Sequence, residues 1–225
     1  MRIYQNFREA IGEIIRDVKE MGVVIRTTSY QNKVIENDDS FETLELTNYM
    51  YTVTGPREED LNPIQPWADI EFEERLYSCV NPGEAWKHRS DVWTEFLNEE
   101  GQFDYTYSER FNTLQLFDTL IQNLKVDKFS RQHYISIWNP RDIKNALGKR
   151  RIPCSLGYLF QVRQGALNIT YLQRSADLVT HFENDIYLAF RLQKEVASIL
   201  GESIGQFTHW LGSIHVFKKD VKDVF

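Results

Sequence analysis

The stretch "IPCSLGYLFQVRQGALNITYLQRSAD", numbered 152–177, decides how this chain is read. Two β-rich runs, GYLFQVR and ALNITYLQR, flank the turn QG, which is the pattern of a β-hairpin. Cys154 stands just ahead of the first run, and Arg174, Ser175 and Asp177 arrive together at the end of the second. A cysteine in that place is either a small buried hydrophobe or a nucleophile. The chain holds only one other, Cys79, so there is no disulfide framework, and a reducing cytoplasm is the expected compartment.

Around the hairpin the periodicities alternate. From Tyr4 to Met21, Phe7, Ile11, Ile14, Ile15 and Val18 share one helical face. Gly22 is a plausible stop, and Val23 to Thr27 reads as a short strand carrying Arg26 at its end. Between Glu36 and Pro66 the text is polar and broken by TGPREED and NPIQP, and irregular structure with short strands is expected. ADIEFEERLYSCV predicts a helix, DVWTEFL a short one, and Asn112 to Leu124 another with Leu116, Leu120 and Leu124 in register. HYISIW reads as a strand ended by NPRD. The most hydrophobic helix runs from Asn184 to Leu200, and FTHWLGSIHVF closes as a strand.

At 225 residues, with 42% hydrophobic, 26% charged and 13% aromatic content, one domain spanning 1–225 with a sizeable core is expected. A net charge of −7 argues against nucleic acid as a partner, so an anionic ligand has to be held by a few placed arginines. No signal peptide is evident and no run approaches the ~18 apolar residues of a membrane helix, so no membrane partner is expected. No metal site is expected either.

Four motifs in order, WNPRDIKNALGKRRIPC, YLQRSADLV, HFENDIYLAF and LGSIHVF, resemble the thymidylate synthase superfamily at that family's spacings. The resemblance covers roughly 129–217, and the N-terminal half matches only in patches. It implies an α/β (α+β) fold with a large bent mixed sheet flanked by helices, working as a homodimer whose sheets pack face to face. It also implies chemistry at C5 of a pyrimidine nucleoside monophosphate, with 5,10-methylenetetrahydrofolate as one-carbon donor.

On this resemblance Cys154 is the nucleophile that adds to C6 and makes C5 reactive. That requires a thiolate, and Arg150, Arg151 and Arg174 are the candidates for lowering the thiol pKa. The residue after it is Ser155, where thymidylate synthases usually carry histidine or glutamine. The phosphate falls to Arg174 and Ser175 of QRS, to Arg26, and to Arg131 reaching across from the other subunit; Gln173 belongs to the same substrate set. Arginine suits this because its planar fork pairs two oxygens at once. The family's usual Arg-Arg pair is here Arg131-Gln132. His215 is implied at the sugar 3′-hydroxyl, with Phe217 in place of the usual tyrosine. That change, with small Ala176 beside the phosphate grip, leaves both CMP and dCMP open. Asp177 is implied at the pterin, with Trp93 and Val92 as its apolar wall. Tyr107 matches a tyrosine that handles the proton at C5. The catalytic glutamate is implied in IEFEERLY: Glu73 fits the spacing E-x-x-L-Y and is preferred, while counting back from Trp93 points to Glu71, and Glu74 is also open.

Asp185 is the most informative position. Synthases acting on dUMP carry asparagine there, whose amide complements the N3–H and O4 of uracil. Cytosine offers the reverse, an N3 acceptor and an N4 amino donor. A carboxyl group accepts from N4 and, when protonated, donates to N3; burial favours that state. Neighbouring Asn184 restores a uracil reader if the register slips by one. FEND and GSIHVF also look more like phage deoxycytidylate hydroxymethylases. Water decides between methyl and hydroxymethyl products. The chain stops ten residues after His215, which favours an open site and hydroxymethylation. The expectation is therefore a (deoxy)cytidylate 5-hydroxymethyltransferase. The alternatives are a methyltransferase on dUMP or dCMP and a nucleotide-binding relative without turnover.

Overall fold

A computed structural model describes residues 1–30, 33–35, 38–146 and 150–225. Residues 36–37 of the polar segment and residues 147–149 of the NPRD-to-PC motif lie outside the described ones.

The chain opens with strand β1 (Arg2–Tyr4) and helix α1 (Phe7–Met21). Asn6 caps α1 by accepting the Glu9 amide, and Phe7, Ala10, Ile14 and Val18 form its buried stripe. Strand β2 (Val23–Ile25) follows Gly22, and β3 (Ser29–Tyr30) pairs with β4 (Lys33–Val34) in a small ribbon. Strand β5 (Thr43–Val53) is the first departure from expectation, because 11 residues of the polar segment form one strand. Most of its residues from Leu44 to Asn48 are half-exposed or exposed, and Asn48 has a φ of 53°, so the alternation is blurred. The strand is held by partners distant in sequence, β1 on one side and the C-terminal strand on the other.

Helices α2 (Trp67–Tyr77) and α3 (Ser90–Trp93) come next, then α4 (Tyr107–Asn112) and α5 (Leu116–Val126). A single helix over Asn112 to Leu124 does not form. Thr106 and Glu109 cap α4 reciprocally at its start. Gln115, left-handed at φ 50°, then redirects the chain before α5 begins.

Strand β6 (Tyr134–Ser136) precedes the hairpin of β7 (Ser155–Arg163) and β8 (Ala166–Gln173). Gln164 and Gly165 both have positive φ, the backbone a two-residue turn needs to match strand twist. Short β9 (Ala176–Asp177), helix α6 (Phe182–Leu200) and long β10 (Ser203–Phe217) complete the core. The main sheet runs β1-β5-β10-β8-β7-β6, with β2 on β5 and β9 on β10. It is mixed: β10 is parallel to β8 and β9 and antiparallel to β5. Helix α1 packs on β5 and α6 on β8 and β10, giving the large mixed sheet flanked by helices that the motifs imply. No described helix is long and apolar enough to cross a membrane.

This topology brings four chain segments to one place. The Arg174 amide donates to the Cys154 carbonyl (2.8 Å), which ties the two ends of the hairpin together. β9 then lays Asp177 beside His215 of β10.

Candidate active site

A cavity of about 380 Å³ opens where these segments meet, a size suited to small-molecule binding. Its lining includes Cys154, Arg174, Ser175, Asp177, Asp185 and His215, joined by Tyr107 and Trp93. Eight of the expected site residues therefore share one hollow. Gln173 is fully buried directly behind it.

Arg174 organises the nucleophile. Its Nε donates to the Pro153 carbonyl (2.9 Å), and its Nη2 to the Ile152 carbonyl (3.1 Å) and, at 3.7 Å, to Cys154 Sγ. The thiol itself is pushed up from its ordinary pKa, not down. Burial outweighs the pull of Arg174 and Arg151, and the carboxylates of Asp185 and Asp177 add to the rise. The expectation of a lowered thiol is thus reversed in this state. Ser155 turns away from the cavity: its hydroxyl meets Tyr171 Oη at 2.7 Å, and its amide donates to Tyr107 Oη at 3.3 Å.

Asp185 sits in the first turn of α6, where Gln173 Nε2 donates to its Oδ2 at 2.6 Å. Burial raises its pKa to about 6, against the pull of Arg75, the Gln173 hydrogen bond and Arg89. Asn184, one residue earlier, is spent elsewhere. Its Oδ1 accepts the Ile64 amide (2.8 Å) and its Nδ2 reaches the Thr180 carbonyl, so it does not line the cavity. The register in which position 185 faces the cavity is the one the helix adopts.

Helix α2 decides between the two glutamates. Glu71 lines the cavity and accepts from Arg75 Nε at 2.8 Å; Glu73 is exposed, facing Arg191 at 3.8 Å. Residues two apart on a helix point to nearly opposite sides, so only one of them can face inward. The preferred Glu73 lies outside the lining, whereas Glu71 and Glu74 are both part of it. Sequence reasoning missed Arg75 altogether, although its i,i+4 spacing from Glu71 was readable. Arg75 is buried, with its guanidinium 3.9 Å from the Tyr107 ring centre. Burial alone would lower Arg75, but Glu71 and the hydroxyls of Tyr158 and Tyr107 hold it above its ordinary value. The Tyr107 hydroxyl is driven well up by burial.

The wall opposite is aromatic. Trp93 lies 5.4 Å from the His181 ring, and the Arg151 guanidinium is packed 4.7 Å from the rings of both Trp93 and Phe96. Among the described residues Arg151 Nε is buried with no hydrogen-bond partner. Burial lowers His181 to about 4, so it is neutral. Val92 is half-buried beside Trp93 but is not part of the lining. Trp93 and Asp177 line the same cavity, an aromatic face and a hydrogen-bond acceptor of the kind that would suit a pterin. Among the described residues no cluster of three metal-ligating side chains occurs.

Two expected phosphate ligands lie outside this chain's cavity, one of them, Arg131, being expected there only from a partner subunit. Arg26, at the end of β2, is exposed and committed to Glu42 (2.6 Å) and Asp39 (3.7 Å). Arg131 is exposed in the loop before β6, away from this chain's cavity. Ala176, expected to leave room near the sugar, is buried in the core and pairs with Ile214. In the lining His215 meets Ser213 Oγ at 3.3 Å, with Phe217 edge-on at 5.2 Å, and burial lowers the imidazole pKa.

Comparison with known proteins agrees with this geometry. The family profile described as thymidylate synthase matches residues 81–225. The structure of thermostable thymidylate synthase A from Bacillus subtilis superposes with a TM-score of 0.74 at 18% identity, over 98% of this chain and 83% of that one. At that identity the superposition speaks for the fold, and the profile, spanning well over half of the chain, for the kinship. The chain belongs to the thymidylate synthase family.

Proposed function

We propose that this protein is a folate-dependent cytidylate 5-hydroxymethylase, converting CMP or dCMP to its 5-hydroxymethyl derivative. Membership of the family carries the coarser part: a one-carbon transferase that modifies C5 of a pyrimidine nucleotide with methylenetetrahydrofolate as co-substrate. The finer part rests on one observation, the carboxyl of Asp185, which lines the same cavity as Cys154 and whose pKa is raised to about 6. A carboxyl in that range changes protonation readily, and its acid form complements the N3 and N4 edge of cytosine.

In this reading 1–225 acts as one catalytic domain. Cys154 Sγ adds to C6 of the nucleotide, the adjacent Arg174 stabilises its thiolate, and the C6–S bond breaks again to return that thiolate when the product is released. When bound, methylenetetrahydrofolate supplies the one-carbon unit. Asp177 and Trp93 hold its pterin, with Val92 supporting the indole, and Tyr107 handles the proton at C5. Glu71, fixed by Arg75, orients the water that adds to the exocyclic methylene. Lys218 to Phe225 support access for that water: the Lys218 amide donates to the Glu42 carbonyl, and Val221, Val224 and Phe225 pack against the core. None of these residues lines the cavity. Ser175 and Arg174 hold the phosphate within the chain. Arg131 completes that grip from the partner subunit of a face-to-face homodimer, a role consistent with its exposed place beside edge strand β6.

The test is a competition. CMP, dCMP and dUMP are supplied together with methylenetetrahydrofolate, and products are weighed by mass spectrometry. A cytidine nucleotide heavier by CH2O is the expected result, and it identifies the sugar in the same run. dUMP heavier by CH2 would make the protein a divergent thymidylate synthase. No product would favour a nucleotide-binding protein without turnover.

A further inference from the structure

Asp185 does not end at Gln173. Behind Gln173 runs a line of buried polar atoms, none of which lines the cavity. Gln173 Oε1 lies 3.0 Å from His209 Nε2, and His209 Nδ1 lies 3.1 Å from the Tyr51 hydroxyl. Gln173, His209 and Tyr51 are all fully buried. The imidazole is clamped by rings. It stacks on Tyr171 (4.5 Å, 15°), lies parallel to Phe182 (6.0 Å, 13°) and meets Phe207 edge-on. Burial lowers its pKa to about 3, so it stays neutral and carries a single ring proton.

The line has a direction. Among the described residues the Tyr51 hydroxyl has one hydrogen-bond partner, His209 Nδ1. A buried O–H without an acceptor is costly, so Tyr51 donates to Nδ1 and the histidine proton sits on Nε2. Nε2–H then donates to Gln173 Oε1, which turns the Gln173 amide N–H toward Asp185 Oδ2. The reverse order would strand the Tyr51 proton. With Oδ2 already accepting, the proton that Asp185 takes up belongs on Oδ1.

We propose that Tyr51 and His209 are positioning residues for base selection: through Gln173 they fix which carboxyl oxygen of Asp185 offers a proton and which offers a lone pair to the pyrimidine. The consequence for substrate rests on the cytidylate reading, whereas the direction of the line does not. Other groups also face Asp185 and set its charge, namely Arg75 and Glu71 from α2, Arg89, Cys154, and the hydroxyls of Tyr107, Tyr158 and Tyr171. None of them makes a hydrogen bond to Tyr51 or His209 among the described residues.

The test uses the full chain with 15N-labelled histidine, alongside Tyr51→Phe and Tyr49→Phe. Tyr49 is also buried on β5, but its hydroxyl donates to Asp17 and serves as the off-line control. In wild type the proton of His209 should be on Nε2; an Nδ1–H tautomer overturns the proposal whatever the substrate proves to be. In Tyr51→Phe both directions become comparable, so the pH-independent kcat/KM for cytidylate should fall about tenfold, and uridylate turnover should change less than about twofold. The basic limb of the cytidylate profile should move to higher pH, because the Asp185 carboxylate loses part of its donor. Tyr49→Phe should lower thermal stability without changing the nucleotide ratio or the limb. Equal losses for both nucleotides in Tyr51→Phe, with the limb unmoved, would reduce Tyr51 to packing and overturn the proposal. Wild type that turns over uridylate alone would show instead that the cytidylate reading has failed, and the tautomer still reports the direction.

Discussion

The two ends of the cavity are built differently. At the Asp185 end a line of polar groups is tied into the sheet and α6: Asp185 to Gln173, Gln173 to His209, His209 to Tyr51. At the other end Arg150, Arg151, Arg174 and Ser175 line the hollow, while Arg26 is paired with Glu42 and Asp39 and Arg131 is exposed. A single chain therefore preorganises the groups around Asp185, and on the proposed reading it leaves anion recognition partly to another copy. Substitutions at the inner end should change chemistry and selectivity, and substitutions at the outer end should change affinity.

The largest test of that contrast is Cys154→Ala. Turnover should drop by about 10⁴-fold or more with nucleotide affinity kept, read by steady-state kinetics and calorimetry. A comparable loss of affinity would mean that the thiol is part of the binding wall. Next come the glutamates. Glu71→Gln should cost about 10²-fold or more in kcat, and Glu73→Gln less than about threefold; the opposite order would put the inward face of α2 in doubt.

Asp185→Asn should lower kcat/KM for cytidylate by about 10²-fold and raise it for uridylate, because an amide matches the other donor pattern. Unchanged preference would remove Asp185 as the reader. The same variant carries a stability signature. In the folded protein Asp185 titrates at about 6 against 3.8 unfolded, so the folded state binds the extra proton between those values. Its contribution to stability is therefore lost as pH rises from about 4 to 6. His181 works in the opposite sense, since a histidine lowered to about 4 favours folding as pH rises. The two mask each other in wild type. The difference between wild type and Asp185→Asn should isolate the aspartate, falling by about 3 kcal/mol across that window in denaturant titrations. The smallest effect is at the outer end: Arg26→Ala should change the nucleotide KM by less than about twofold. A tenfold rise would mean that Arg26 leaves Glu42 for the phosphate.

What the sequence discloses follows the same divide. The hairpin was legible because Gln164-Gly165 is local turn chemistry, and α6 because its apolar content is high over a long run. Strand β5 was not, since its identity comes from pairing with β10 about 160 residues away and not from its own alternation. Gln115 hid the break between α4 and α5 because nothing in the residue type announces a left-handed backbone. Most of the site residues were readable as motifs, yet motifs do not state which way a side chain points. Glu71 against Glu73 is a matter of helical phase. Arg26 is a matter of competition with Glu42, and His209 is invisible until Gln173 and Tyr51 are placed on either side of it.

Strand β10 carries a consequence of its own. His209 and His215 are six residues apart on it, one buried behind the base reader and one at the sugar end, and hydrogen bonds to β5 bracket both. Because the backbone ladder holds the strand whatever side chains it displays, the two ends can diversify separately. If the proposed roles hold, a lineage can trade one sugar for another at positions 215 and 217 without disturbing its choice of base, and can revise that choice near position 209 without relearning the sugar.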